Sequence, residues 1–236
     1  MQPLTVALVV FVAGFTQSLS GFGSALVAMA VLPGLLGLRT AIPLVAMIAI
    51  SVEATLLLRY RSALNLRAVW RLAVASLIGI PLGMIVLRRL DEDLALGALG
   101  VVMAGYALYA LFELKPPELS KPGWAYAFGL AAGMLGGAYN TSGPPVVVYG
   151  NARRWSPAEF KSNLQGFFFF NSLLVVSGHA LSGNLDEAVW QNYLIALPGL
   201  ALGILAGLGL DRRIDPLVFR KIVLVLLLVM GVRMVI

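Results

Sequence analysis

Long apolar stretches alternate along the chain with short polar or proline-bearing ones, and their lengths predict helices that cross a bilayer. Residues 40–60, 68–87, 94–112, 158–181, 189–210 and 217–236 are each apolar over a length that suits a hydrocarbon core of about 30 Å, which about 20 helical residues span. Two further apolar stretches do not fit. Residues 4–37 would make one helix of roughly 50 Å, and polar residues interrupt them at 17–24. An arm over residues 5–19, roughly 22 Å long, is too short to cross, and residues 25–37 could return to the same face. In the second half residues 124–139 form the arm, and GGAYNTSGPP, residues 136–145, the interruption.

An unpaired backbone group in hydrocarbon costs several kcal/mol, so broken backbone survives there only where it lines a protected cavity. Each interrupted stretch is therefore predicted to be a re-entrant helix-turn-helix. Gly21 and Gly23 supply the first turn, and Pro144 and Pro145 open the second returning half-helix, where no N–H is required. The fold expected is an all-α integral membrane protein of two inverted repeats, each a re-entrant helix-turn-helix plus three transmembrane helices. Repeat 1 covers residues 1–115 and repeat 2 residues 124–236. Between them lies a linker, residues 116–123, through which Pro116, Pro117 and Pro122 let no helix run. In the alternative, each interrupted stretch crosses once, giving eight crossings and parallel repeats.

Matching residues support a duplication. Ala68, Val69 and Trp70 correspond to Ala188, Val189 and Trp190, and Gly79 and Gly83 to Gly199 and Gly203; Gly14 and Gly133 each precede a break. Small residues one turn apart also permit close helix packing, and that is the preferred reading for the Gly79/Gly83 and Gly199/Gly203 pairs. Ser156, Pro157 and Glu159 form a capping box with proline at the first helical position, and Asp215-Pro216 is expected to cap the last helix.

Charge decides between the two topologies, because cytoplasmic loops are rich in Lys and Arg. With eight crossings, seven basic residues fall on one side and ten on the other. With re-entrant hairpins, one side collects Arg59, Arg61, Arg67, Arg71, Lys115, Lys121, Arg153, Arg154, Lys161, Arg212, Arg213, Arg220 and Lys221. The other keeps Arg39, Arg88, Arg89 and Arg233. Thirteen against four favours the inverted arrangement, with both termini outside the cytoplasm.

Composition agrees: 60% of the 236 residues are hydrophobic and 12% charged, about half the charge of a soluble domain. No polar stretch is long enough for a separate soluble domain, and the N-terminus lacks the basic region of a signal peptide. The net charge of +6 is spread over loop ends without a basic block, so no nucleic-acid partner is expected. With no cysteine and one histidine, His179, neither a metal nor any other cofactor is expected. His179 reads as a loop residue near an extramembrane end. The partners expected are the lipid bilayer and a small anionic substrate, and a homodimer is left open.

Inverted hairpins would bring their tips together near the midplane, as in transporters of this general design. A half-helix starts at each tip, and its N-terminus offers free amides and about half a positive charge, which suits a small oxyanion without a central Lys or Arg. Around the first tip the candidates are Gln17, Ser20, Gly21, Phe22, Gly23 and Ser24. Around the second they are Asn140, Thr141, Ser142 and Gly143, with Asn171 on the following helix. Asn163 and Gln165 share that helix, and the turn between Gln165 and Asn171 allows only one of these two to face a cavity squarely. Glu53 is the coupling candidate, since intramembrane carboxylates mark ion pathways or proton relays; a satisfied contact with an arginine or a backbone amide explains it equally. Arg153 and Arg154 read as topology signals, and Phe167 to Phe170 as packing. No HExxH, GxSxG or paired intrahelical aspartates suggest an enzyme.

Gly14-Phe15 and Gly21-Phe22-Gly23, followed by Gly133, Gly136-Gly137, Gly143-Pro144-Pro145 and Val148-Tyr149, resemble the TauE/SafE family, the sulfite and organosulfonate exporters. The similarity covers nearly the whole chain. It implies a secondary transporter of the inner membrane that exports small sulfur-containing anions such as sulfite or sulfoacetate, with Gly21, Gly23, Gly143 and Pro144 as signature positions. Where many members show a glycine run, this chain has Ser24 and, in the second half, NTSG, so the resemblance leaves the substrate subtype open.

Overall fold

A computed structural model of the protein describes residues 2–210 and 216–236. Ten α-helices follow one another among them: α1 (Gln2–Ser20), α2 (Ser24–Leu36), α3 (Leu38–Tyr60), α4 (Leu66–Arg89), α5 (Glu92–Leu111), α6 (Trp124–Tyr139), α7 (Gly143–Ala152), α8 (Pro157–Leu181), α9 (Glu187–Leu210) and α10 (Pro216–Val235). Both interruptions are real breaks, and every apolar stretch is a helix within three residues of its expected bounds. Ser156 caps α8 as foreseen: its hydroxyl accepts from Glu159 N–H at 3.4 Å, and Glu159 accepts from Ser156 N–H at 3.2 Å. Asp215, Arg212 and Arg213 lie outside the described residues.

Among the described residues six helices are long and apolar enough to cross a membrane: α1, α3, α4, α5, α8 and α9. This set differs from the expected one at both ends of the chain. Helix α1 starts at Gln2, so its 19 residues reach roughly 28 Å, more than the short arm foreseen. Helix α10 has 20 residues but carries Arg220, Lys221 and Arg233. Large apolar side chains stay exposed along the long helices, Leu202 at 60% and Leu205 at 67% for example, as a lipid-facing surface requires. The protein is a multi-pass membrane protein.

The helices group into two compact units. The first comprises Met1–Ile48, Arg89–Leu114 and Asn184–Ile236. Here α1 packs on α9 so closely that a Cβ on Gly199 or Gly203 would lie 2.4 Å from Ala7 O or 2.3 Å from Phe11 O. Gly100 and Gly231 bring α5 and α10 together in the same way, and Glu92 caps α3 by accepting Leu38 N–H at 3.1 Å.

The second unit comprises Ala49–Arg88 and Lys115–Gly183. In it α4 packs on α6: Gly79 and Gly83 face the backbone of Leu130 and Met134, while Gly129, Gly133 and Gly137 face that of Leu72, Ser76 and Ile80. The glycine pairs separated by one turn thus serve close packing, as preferred above. Each unit pairs the first arm of one half with the second long helix of the other, α1 with α9 and α6 with α4. The units therefore cut across the two sequence halves.

One expectation changes inside the second unit. His179 is no loop residue; it lies within α8 and is 6% exposed. Arg153 and Arg154 also latch the linker: Arg153 donates to Leu119 O and Ser120 O, and Arg154 to Pro116 O.

Candidate functional site

At the first break α1 stops at Ser20 because Gly21 and Gly23 take φ of +82° and +107°, values that favour glycine. The Gln17 side-chain carbonyl reaches across the turn and accepts from both Ser24 Oγ and Ser24 N–H. Gln17 and Ser24 are buried, and they satisfy each other. The Ser20 hydroxyl is in reach of Thr16 O at 2.7 Å and Phe22 O at 2.6 Å, so its single proton stays within the turn. The polar side chains of this break thus hold its shape, and what they leave for a guest is backbone.

Phe22 projects from the turn to meet Tyr106 of α5 edge-on, with ring centroids 6.0 Å apart. Together with Ser20, Gly23 and Thr16 these rings line a cleft that α10 closes with Phe219, Arg220 and Val223. Arg220 stands one turn into α10, about 6 Å along its axis, so this break lies level with the opening of that helix. A guanidinium beside the first break is the residue that sequence reasoning missed. The signal available was a cation inside an apolar run, which within a membrane segment is itself a functional marker.

The second break is built differently. Asn140 ends α6 with φ of +55°, a left-handed turn that asparagine tolerates, and Thr141 N–H reaches back to Leu135 O at 3.2 Å. Helix α7 then opens Gly143-Pro144-Pro145. Two prolines among its first three residues leave only the Gly143 amide of the three expected there. Side chains take over. Asn140 is 5% and Thr141 1% exposed, yet Asn140 Nδ2 and Thr141 Oγ1 have no hydrogen-bond partner. Asn171 of α8, 1% exposed, sits against Gly136, one turn before Asn140, and its Nδ2 also has none. Ser142, 7% exposed, precedes α7 without capping it through its side chain.

Next to Asn171 on α8, Ser172 makes a hydrogen bond with the carboxyl of Glu53, which is 5% exposed. The other carboxyl oxygen, Oε2, has no partner. The partner seen is thus a hydroxyl, neither an arginine nor a backbone amide. Of the other polar residues on α8, Asn163 accepts from Asn65 N–H at 2.9 Å and Ser162 donates to Tyr60 O at 2.7 Å, which ties the α3–α4 connection down. Phe167 and Phe168 are buried, as packing residues should be.

The family model for the sulfite exporter TauE/SafE matches residues 6–234. The chain belongs to the TauE/SafE family. Among the relatives of this TauE/SafE chain is a protein of Cupriavidus necator named "Probable sulfite/organosulfonate exporter TauE", 27% identical over 225 residues, which cover 92% of this chain and 87% of the relative. Another, from Comamonas testosteroni, is named "Probable inner membrane transporter protein TsaS"; it is 27% identical over 175 residues, 71% of this chain and 73% of the relative. No solved structure matches.

Proposed function

We propose that this TauE/SafE member is a secondary transporter of the inner membrane that exports small sulfur-containing anions, sulfite or a short organosulfonate. The observation that carries this reading is the group of unpartnered donors at the second break, Asn140 Nδ2, Thr141 Oγ1 and Asn171 Nδ2. A buried donor left unmade costs about 1–3 kcal/mol, and hydrogen bonds to a charged group recover about 1.5–3 kcal/mol each. An oxyanion answers such a group with several acceptor oxygens. The names of the family and of the Cupriavidus necator relative supply the substrate class.

The reading is tested on the purified protein by thermal stabilisation with sulfite, ethanesulfonate, sulfate and acetate, because a ligand of the native state raises apparent stability. Stabilisation by sulfite or ethanesulfonate at lower concentration than by acetate is expected, together with saturable uptake and counterflow in proteoliposomes. Flux that neither saturates nor shows counterflow would make the protein an anion channel instead. Equal stabilisation by all four anions would remove the sulfur specificity.

Glu53 is the proposed coupling group, because its carboxyl is buried within the membrane segment and bonded to Ser172, the residue after Asn171 on α8. Glu53→Gln keeps the volume and the Ser172 contact but cannot exchange a proton. Transport by this variant is expected to lose its response to an imposed pH gradient while binding persists. An undiminished response would eliminate Glu53 as the proton carrier.

A further inference from the structure

The cleft beside the first break has the makings of a second recognition element. Its apolar wall comes from Phe22, Leu26, Leu224 and Leu227, and its polar end from Tyr106 and Arg220. Tyr106 is 5% exposed, and its hydroxyl oxygen makes only a loose side-chain hydrogen bond, from the half-buried Arg220; a guanidinium donates there, so the phenol proton is not used. The Nε of Arg220 is buried and unpartnered. Two buried donors therefore face one cleft, and one of them belongs to a full positive charge. The hydroxyl protons of Thr16 and Ser20 are held by Val12 O, Thr16 O and Phe22 O, so Tyr106 and Arg220 are the donors at hand. Gly23 leaves its backbone open on this side: a Cβ there would meet only Thr16 Cγ2, at 3.4 Å.

Topology explains a basic residue near the start of α10 but not this placement. A purely topological charge would behave like its neighbour Lys221, which is exposed and pairs loosely with Glu113 at 3.6 Å. Arg220 instead keeps its Nε buried and its guanidinium beside the Tyr106 phenol. A guanidinium presents planar, forked donors that fit the paired oxygens of an oxyanion. The apolar wall beside it suits a short carbon chain on that anion. The enclosed space is about 10 Å³, one water molecule's worth, so an anion enters only as the cleft widens.

We infer that this cleft binds the sulfonate or sulfite group of the substrate, with Arg220 as charged anchor, Tyr106 as hydroxyl donor and the Phe22–Leu227 wall receiving any alkyl portion. The inference rests on the anion-transport reading for its ligand class and adds to it a site on residues that reading does not use.

The test is the concentration of ethanesulfonate or sulfite that half-stabilises the purified full-length protein, in the wild type and in five variants. Arg220→Gln is expected to weaken binding about 100-fold or abolish it, Arg220→Lys to weaken it less, and Tyr106→Phe to weaken it about 10-fold, as the loss of hydrogen bonds to a charged group implies. Lys221→Gln, which removes the same charge one residue away, is expected to leave binding unchanged. Loss of the alkyl wall in Leu227→Ala should weaken ethanesulfonate more than sulfite. If Arg220→Gln does not fold, Tyr106→Phe decides, since it removes one hydroxyl and nothing else. Unchanged binding in Tyr106→Phe and Arg220→Gln, or an equal loss in Lys221→Gln, overturns the inference while the transport reading stands. A wild type that no anion stabilises overturns both.

Discussion

A single methyl group added at Gly83 is expected to strip the protein of much of its thermal stability. The new Cβ would lie 2.1 Å from Met134 O, and a backbone carbonyl inside a helix cannot rotate away as a side chain can. Helices α4 and α6 must then part. Overpacking of this kind typically costs about 1–3 kcal/mol, occasionally more. Lipid tails are as apolar as the side chains they replace, so helix association in the bilayer depends on close van der Waals contact, and separation forfeits it along the whole interface. Gly203→Ala on α9 should behave alike, with its Cβ 2.3 Å from Phe11 O. Gly34→Ala and Gly105→Ala, where no atom lies within 4 Å of the built Cβ, serve as controls. The check is the unfolding midpoint of each variant in detergent: a clear fall for Gly83→Ala and Gly203→Ala, and none for the controls. Four equal midpoints would mean that these helices do not approach so closely.

Removing the Asn171 amide is expected to weaken anion binding by about 10- to 100-fold, from the loss of one hydrogen bond to a charged group. Asn171→Leu preserves bulk and removes the donor, and because Nδ2 has no partner within the protein, folding should survive the change. That separates this residue from Asn163, whose Oδ1 holds Asn65 N–H and whose loss should lower stability instead. Gly136→Ala approaches the same donor from the other side: its Cβ would lie 2.4 Å from Asn171 Oδ1, a movable side-chain atom. The expected result is displaced Asn171, weaker binding and a small change in stability. Binding at wild-type strength in both Asn171→Leu and Gly136→Ala would remove the second break from the binding machinery.

Helix limits were legible because hydropathy and breakers act over a few residues. The polar tract at residues 17–24 and the run GGAYNTSGPP had to break their helices, and the prolines of the linker had to keep it out of one. Ser156 and Glu159 are three residues apart, so their reciprocal cap needs nothing from elsewhere. The close-packing role of the recurrent glycines could also be foreseen, since small residues one turn apart make a groove whatever lies in it. The length of α1 was underestimated because the arm was counted from residue 5, although a proline near a helix start is tolerated and the helix begins at Gln2.

The role of each polar side chain was not legible, because it depends on partners brought close by folding. Gln17 and Ser24, read as candidates for an anion, are bonded to each other. Ser20 spends its proton on its own turn, and two of the amides expected at the second break are absent because proline lacks the N–H. Arg220 counted as one more topological charge until α10 was laid against the first break and Tyr106. His179 likewise changed meaning with its surroundings. By itself the sequence determined a multi-pass, all-helical chain broken at two places, since hydrophobic length and backbone chemistry are local properties. Only the tertiary structure decided which donors are satisfied and which have no partner, because hydrogen-bond satisfaction is a property of neighbours in space.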